Sequence, residues 1–266
     1  PESPALYSLL VRTTTSRGVH EKAVRLGFRQ IQVEGTAFLV NSKPVFFKGV
    51  NRHEMRRGAG MTLSRNDTRN DLTDIKALGA NFVRTAHYTQ DLSFFELADE
   101  LGLLVWTEIP AWQTLADVLG DEQVWRAYGE PQLREMVEGY RQFCSVVVWS
   151  VGNEFPSDKE PVRNYVERAV KFVRSLDSTR LITFASDRHD RDISFAPVDF
   201  IAINEYYGWY YGKLADLGPV LDKVHAKWPD KPVILSEFGS EAIPGWRNSE
   251  PGDSGVSDYS EDRQIK

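Results

Sequence analysis

The strongest constraint on the fold is an alternation of short apolar runs with segments whose apolar residues recur at helical spacing. Leu72, Ile75 and Leu78, for example, are expected on one face of a helix. Strands alternating with helices are typical of βαβ units and a parallel sheet. The predicted strands are seven runs rich in Val, Ile, Leu or Phe, at 45–51, 82–87, 103–109, 146–153, 181–185, 200–206 and 232–238.

Chain length narrows the fold class to one architecture. With 266 residues, of which 41% are hydrophobic, the chain can bury a large core, and single barrels of about 250 residues are common. We therefore predict an α/β fold, a (β/α)8 TIM barrel that lacks its eighth strand in this chain. The missing strand is expected beyond Lys266, in a longer protein.

The first residues do not follow the alternation. Residues 5–13 and 22–33 are predicted to form two antiparallel strands around a turn at 16–18. Roughly thirty residues are too few for a domain, so we interpret 1–34 as the last strands of an upstream β-domain and 35–266 as the barrel. A second hairpin, 38–40 with 45–47, is expected to plug the barrel floor.

Two glutamates close apolar runs, Glu154 after the fourth predicted strand and Glu237 in the seventh. In a parallel barrel the carboxyl ends of all strands share one face, so two distant carboxylates can meet over one pocket. Glycoside hydrolysis needs such a pair, one carboxyl protonated and the other ionised. A single glutamate at a strand end is more often a solvated loop residue, and only the pair favours catalysis.

Composition argues against several other partners. A net charge of −6 and a pI near 5.5, with Lys and Arg scattered, provide no basic surface for nucleic acid. The single cysteine, Cys144, excludes an internal disulfide, and no apolar run approaches the roughly 20 residues of a membrane span. No nucleic-acid or membrane partner is expected. The compartment stays open between the cytoplasm and export through an upstream signal.

Four motifs in series resemble glycoside hydrolase family 2, the group of β-galactosidases, β-glucuronidases and β-mannosidases. The motifs are KGVNRHE at 48–54, NFVRTAHY at 81–88, VWSVGNE at 148–154 and SEFG at 236–239. The resemblance implies that the chain runs from the edge of an immunoglobulin-like β-sandwich domain through most of a catalytic TIM barrel. It also implies a small-molecule glycoside or oligosaccharide as substrate, and leaves a homo-oligomer of the full-length protein possible.

The resemblance further implies a retaining exo-β-glycosidase that forms a covalent glycosyl-enzyme. Glu154 would be the acid/base and Glu237 the nucleophile. Such carboxyls lie about 5 Å apart. Arg84 is expected to keep Glu237 ionised, Asn153 to contact the hydroxyl beside the reacting carbon, and Tyr206 to hydrogen-bond the nucleophile.

Substrate choice depends on weaker signals. The run NEYYGWY at 204–210 resembles β-glucuronidases, in which the matching Asn204 and a lysine beyond the eighth strand recognise the sugar carboxylate. A β-glucuronide or a β-galactoside is therefore expected. Trp209 and Tyr210 could stack on a sugar or pack the barrel rim. His53 and His87 could contact substrate or make structural hydrogen bonds, whereas His20, His189 and His225 are expected on the surface.

One departure from the family concerns metal. Where many relatives have RNHPS, residues 141–145 read RQFCS, without the histidine that helps hold magnesium in the galactosidase branch. No metal and no cofactor are therefore expected. The alternative function is a truncated, weakly active or inactive carbohydrate-binding barrel. A barrel for phosphorylated metabolites is disfavoured, because no Gly-rich phosphate loop follows the seventh strand.

Overall fold

The computed structural model describes residues 3–252 and 258–265. Two antiparallel units come first. The strands β1 (Tyr7–Thr15) and β2 (Gly18–Leu26) pair as a hairpin, and β3 (Ile31–Glu34), β4 (Ala37–Val40) and β5 (Lys43–Val45) form a three-stranded sheet. All of β1 is exposed, so the hairpin has no core of its own within the described chain. Its assignment, with residues 1–34, to an upstream immunoglobulin-like domain stays a prediction.

A parallel sheet of seven strands forms the body of the molecule, in the order β12-β11-β10-β9-β8-β7-β6. The strands are β6 (Gly49–Arg52), β7 (Phe82–Thr85), β8 (Leu104–Glu108), β9 (Val146–Asn153), β10 (Leu181–Ser186), β11 (Ile201–Asn204) and β12 (Val233–Glu237). The two edge strands approach each other, since Asn51 Nδ2 of β6 donates to the Ser236 carbonyl of β12 at 2.9 Å. The predicted seven-stranded TIM barrel is confirmed.

Helices connect the strands and cover the outside of the sheet. They are α1 (Arg65–Ala77), α2 (Leu92–Leu101), α3 (Ala116–Gly120), α4 (Glu122–Val124), α5 (Glu130–Tyr140), α6 (Glu160–Leu176), α7 (Leu217–Lys227) and α8 (Glu261–Ile265). A π-helix, Trp125–Gly129, joins α4 to α5. Ser64 begins α1 with a capping box to Asp67, and Leu72 and Ile75 face the core as predicted. Leu78, which caps the end of α1, is instead 78% exposed.

Two predicted strands are each divided in the structure, and the second strand of the floor hairpin is Lys43–Val45 rather than 45–47. The run 22–33 is divided, because β2 ends at Leu26 and Ile31–Glu34 pairs with β4. Gly27 separates them where the backbone passes so close to Cys144 that an added Cβ would lie 2.5 Å from its Sγ. The run 45–51 is also divided, since β5 ends at Val45 and β6 begins at Gly49. Phe47, between them, stacks on Phe82 at 4.4 Å.

Alternating side chains of the barrel strands decide what fills its interior. Phe82, Leu104 and Phe200 point inward and form one apolar cluster with residues of the three-stranded sheet. Phe38 of β4 packs edge-on against Phe200 at 5.2 Å, so the predicted plug of the barrel floor is confirmed. Strand side chains alternate between faces. Arg84 lies two residues after Phe82, and Asn204 lies four residues after Phe200. Both therefore also point inward, but at the opposite, C-terminal rim of the barrel.

Candidate active site

Glu237 ends β12 at the C-terminal rim of the barrel and is 9% exposed. Its carboxylate accepts two short hydrogen bonds. Arg84 Nη1 donates to Oε1 at 2.6 Å, and the Tyr206 hydroxyl donates to Oε2 at 2.7 Å. Burial, followed by the charge of Glu237, raises the pKa of Tyr206, so the phenol keeps its proton and acts as a donor. Each oxygen of Glu237 is thus fixed by one donor.

Arg84 is the centre of the charged network and is 2% exposed. Besides Glu237 it binds Glu108, with Nε to Oε2 at 3.1 Å and Nη2 to Oε1 at 3.0 Å. Burial alone would lower the pKa of Arg84, but the charges of Glu108 and Glu237 outweigh it and raise that pKa. One guanidinium therefore serves two buried carboxylates, and its planar set of donors suits this task.

Glu108 is a site residue to which sequence reasoning assigned no such role. It is fully buried, at 0% exposure, and accepts from Trp106 Nε1 at 3.1 Å as well as from Arg84. Burial favours the neutral form, but Arg84 and His87 outweigh it and lower the pKa of Glu108. The signal was present in the sequence, because Glu108 ends β8 as Glu237 ends β12.

Glu154 follows β9 directly and has a left-handed backbone, with φ 50°. Its amide donates to the Ala185 carbonyl at 2.9 Å, which holds the residue against β10. Each oxygen of its carboxylate accepts one amide donor. Asn204 Nδ2 lies 2.9 Å from Oε1, and Gln113 Nε2 lies 3.0 Å from Oε2. Glu154 is partly exposed, unlike Glu237.

A continuous path of hydrogen bonds joins the two predicted catalytic carboxylates. Asn204 Nδ2, which binds Glu154, also donates to Asn153 Oδ1 at 3.1 Å. Arg84 Nη2 donates to the same Oδ1 at 2.6 Å, while its Nη1 binds Glu237. Residues from β7, β9, β11 and β12 therefore meet in one cluster at the C-terminal rim, where TIM barrels place their active sites.

Asn153 has an unused donor inside this cluster. It is 1% exposed, and its Oδ1 accepts from both Arg84 and Asn204. Its Nδ2 is buried without a hydrogen-bond partner among the described residues. Two donors on one atom identify that atom as the amide oxygen. Asn153 can therefore only donate to a ligand. Gly152 allows this arrangement, since an added Cβ would lie 2.6 Å from the Ala111 carbonyl oxygen.

The two predicted histidines lie beside the network. His87 Nδ1 is 2.8 Å from Glu108 Oε1, and its Nε2 is 3.9 Å from Glu237 Oε1. The His53 ring is 5.5 Å from that of His87. Partial burial and the neighbouring His87 lower the pKa of His53, which favours a neutral ring. Trp112 stacks on His87 at 5.9 Å with 52% of its surface exposed.

The aromatic run after β11 lies around Tyr206. Tyr210 is half-exposed, with its ring 5.0 Å from that of Tyr206, and it stacks on Trp209 at 4.0 Å. Trp209 is only 3% exposed and also contacts Tyr259. Because Trp209 is buried beneath the Tyr210 ring, Tyr210 is the one of the two predicted sugar-stacking residues that solvent can reach. A direct contact of Trp209 with sugar stays a prediction.

His189 does not lie free on the surface as expected. Its Nδ1 pairs with Glu205, a carboxylate buried at the end of β11, which also accepts from the Tyr211 hydroxyl at 3.3 Å. The sequence signal for this pair was the position of Glu205 directly after an apolar strand.

Within residues 3–252 and 258–265 no group of three or more His, Cys, Asp or Glu is arranged to hold a metal ion. The same residues contain no helix with the length and apolar character needed to cross a bilayer.

Comparison with known proteins identifies the family to which the chain is similar. The model of the family described as "Glycosyl hydrolases family 2, TIM barrel domain" matches residues 31–252. Mouse β-glucuronidase is 35% identical over 259 residues, covering 94% of this chain and 40% of the relative. The β-glucuronidase of Streptococcus agalactiae is 34% identical over 241 residues, covering 82% of this chain and 40% of the relative. The chain thus spans about two fifths of the length of these curated relatives.

Solved structures show the same relationship. A β-galacturonidase of family 2 from Eisenbergiella tayi, bound to galacturonate, superimposes with a TM-score of 0.91 at 31% identity, covering 99% of this chain and 47% of that one. The β-D-glucuronidase of Dictyoglomus thermophilum gives a TM-score of 0.89 at 30% identity, with the same coverage. The fold, the four motifs and these matches agree. The chain belongs to glycoside hydrolase family 2.

Proposed function

We propose that the protein hydrolyses β-linked glycosides with retention of configuration, with Glu237 as nucleophile and Glu154 as acid/base. The observation that carries the proposal is the hydrogen-bond path from Glu154 through Asn204, Asn153 and Arg84 to Glu237. It holds two carboxylates of different environment on the same rim. A pair of carboxyl groups in different environments is what glycoside hydrolysis uses.

The surroundings of the two carboxylates fit different roles. Glu237 is almost buried, and Arg84 and Tyr206 each donate to one of its oxygens, which holds the carboxylate in place as a nucleophile. In the first step its oxygen bonds to the anomeric carbon. The bond to the aglycone oxygen breaks, and Glu154 gives that oxygen a proton. In the second step Glu154 takes a proton from water, whose oxygen replaces Glu237 at the same carbon.

Asn153 is proposed to bind the hydroxyl beside the reacting carbon. Its buried Nδ2 lacks a partner, while its Oδ1 is held by two donors. An unsatisfied buried donor costs about 1–3 kcal/mol, which a sugar hydroxyl would recover on binding. Hydrogen bonds to this hydroxyl strengthen as charge develops in the transition state. These contacts support a donor role for Asn153 at that hydroxyl.

The proposed substrate is a β-glycoside whose sugar carries a carboxylate, a glucuronide or galacturonide, with β-galactoside as the second candidate. The support is that the curated relatives are β-glucuronidases and one neighbour is bound to galacturonate. Asn204 is the predicted contact to the sugar carboxylate. Both of its N–H groups already donate, to Glu154 and Asn153, and its Oδ1 accepts from Ser236 at 2.7 Å. Binding a sugar carboxylate would therefore require Asn204 to exchange one of these bonds.

The second candidate function is a carbohydrate-binding barrel without turnover. It is favoured by the open edge of the sheet, since β6 and β12 do not pair with each other and most of β12 is only half-buried. Both functions need the same pocket. They differ only in whether bond cleavage follows binding.

The deciding experiment is a panel of nitrophenyl β-glycosides assayed with the protein produced from its natural coding sequence. Glucuronide, galacturonide, galactoside and mannoside are compared. We expect turnover of a uronide, and proton NMR at early times should show the β-anomer of the released sugar. Release of the α-anomer would contradict retention. Binding of a uronic acid by calorimetry without release of nitrophenol would favour the second candidate.

A further inference from the structure

We propose that Gln113, in the loop after β8, positions the carboxyl of Glu154 for proton transfer to the leaving oxygen. The proposal rests on the acid/base role given to Glu154 above. It concerns a residue that need not touch the reacting atoms. Gln113 would act through Glu154 and determine how well that group protonates a poor leaving group.

The contact between the two side chains restrains the carboxyl in a way that a single hydrogen bond could not. Gln113 Nε2 donates to Glu154 Oε2 at 3.0 Å, and Asn204 Nδ2 donates to Oε1 at 2.9 Å. With a donor on one oxygen only, the carboxyl could rotate about its last bond. A second donor on the other oxygen fixes the plane of the group, and proton transfer depends on such alignment.

The backbone of the same loop is bound to the residue just before Glu154. The Gln113 amide donates to the Asn153 carbonyl at 2.8 Å, and the Asn153 amide donates to the Ala111 carbonyl at 3.0 Å. These bonds extend the pairing of β8 and β9 beyond the regular sheet, with a bridge between Trp112 and Asn153. Gln113 and Glu154 therefore keep a fixed separation even though they come from different loops.

The conformation of Gln113 points to a role for its side chain. Among the described residues five non-glycine residues have positive φ. Two of them, Asn41 and Ser42, form the turn between β4 and β5. Gln113 and Glu154, both with φ 50°, are joined by the hydrogen bond just described. A non-glycine residue in this region is strained, and glycine would avoid that strain. Glycine at this position would lack the side-chain amide that donates to Glu154.

The readout follows from the chemistry of the leaving group. An aglycone such as 2,4-dinitrophenol departs as a stable anion and needs little protonation, whereas phenol needs the acid. Loss of alignment at Glu154 should therefore reduce kcat/KM for the phenyl glycoside much more than for the dinitrophenyl glycoside. A defect in folding or in sugar binding would reduce both alike.

The test compares Gln113→Gly with the parent protein and with Glu154→Ala as reference, all made from the natural coding sequence. Gln113→Gly removes the amide and relieves the backbone. We expect kcat/KM for the phenyl glycoside to fall about 10- to 100-fold, and that for the dinitrophenyl glycoside to stay within about twofold. Glu154→Ala should show the same selectivity with a larger loss. Gln113→Asn, whose amide is one carbon shorter, should also resemble Gln113→Gly.

The matched control is Ser42→Gly, which makes the same kind of backbone change at a positive φ in a turn that lies on the barrel floor, away from the site. It should leave both substrates unchanged. Equal losses on the two substrates for Gln113→Gly, or no loss on either, would overturn the proposal while the function stands. A parent protein that turns over neither substrate would overturn the proposed function, and this inference with it.

Discussion

The two ends of the barrel are built on opposite principles. At the floor, aromatic side chains close the interior, and the buried and half-buried arginines there donate mainly to backbone carbonyls. At the rim, charged side chains that come from different strands bind one another. The same strands contribute to both ends. The difference shows which end of a TIM barrel is built for stability and which for chemistry.

Arg180 represents the floor. It donates to Asp177 at 2.6 Å and to the carbonyls of Val146, Arg141 and Phe143. These carbonyls lie near the starts of strands, where the chain enters the sheet. Every contact made by Arg180 thus ties a chain segment in place and leaves no group for a ligand.

Arg84 represents the rim. Its partners are Glu108, Glu237 and Asn153, which are side chains from other strands, and one of them keeps a free donor. Gathering two carboxylates around one buried cation costs desolvation of every charge. The rim therefore gives up stability for a preorganised site, as functional sites commonly do.

The largest expected effect comes from Glu237→Gln at the rim. The isosteric amide keeps the shape but removes the nucleophile, so kcat should fall at least about ten-thousandfold. The melting temperature should change little in comparison. Initial rates with a nitrophenyl glycoside and a thermal melt check both expectations. Survival of full activity would refute the nucleophile assignment and weaken the division between the two ends.

The next effect in size is expected from Arg180→Met at the floor. Removal of one partner of a buried ion pair typically costs about 3–5 kcal/mol, because the other charge is left uncompensated. Urea unfolding should show this loss, while kcat/KM under conditions that keep the variant folded stays near the parent value. Arg12→Met, which breaks the exposed pair with Glu21, is the control and should cost below about 1 kcal/mol. A loss of kcat/KM without a loss of stability would contradict the assignment of the floor.

The smallest effect is expected from two aspartates whose pKa values are shifted in opposite directions, Asp192 near the rim and Asp177 at the floor. Near the rim, burial raises the pKa of Asp192 to about 6 from an ordinary 3.8, although Ser157 and Ser186 donate to it. Because the folded pKa is raised, its contribution to stability is complete below pH 4 and is lost as the pH rises through 6. The full loss is roughly 3 kcal/mol. Asp192→Asn should therefore flatten the stability profile between pH 4 and 7.

Asp177 at the floor should behave in the opposite way. Burial opposes its ionisation, but hydrogen bonds from Thr179 and the charge of Arg180 outweigh this and lower its pKa to about 2. Its contribution is complete above pH 4 and is lost as the pH falls through 2. Asp177→Asn should reduce stability near neutrality and flatten the acid limb. Unfolding by urea from pH 2 to 7 checks both variants, and equal profiles for the two would contradict the comparison.

Local sequence patterns were sufficient for most of the secondary structure and for placing Glu154 and Glu237 at one rim. Strand and helix periods depend on neighbouring residues, so the seven barrel strands and the floor plug could be predicted, with errors where turns divide a run and in the second strand of the plug. Glu154 and Glu237 were predicted because strand ends share one face. The bounds at 27 and 46–48 were missed, because close contacts with Cys144 and Phe82 decide them.

The sequence alone determined that this chain is a parallel barrel of strands with acidic residues at their carboxyl ends, since period and strand order depend on short stretches of chain. The tertiary structure decided which of those residues meet. Arg84 and Glu237 are separated by 153 positions, and the bond between them depends on strand register and on irregularities beside β8 and β11. The buried position of Glu108 follows from the same register, whereas the burial of Trp209 and the contact of Gln113 with Glu154 depend on how the loops after β11 and β8 fold. No local period in the sequence encodes the register or these loop contacts.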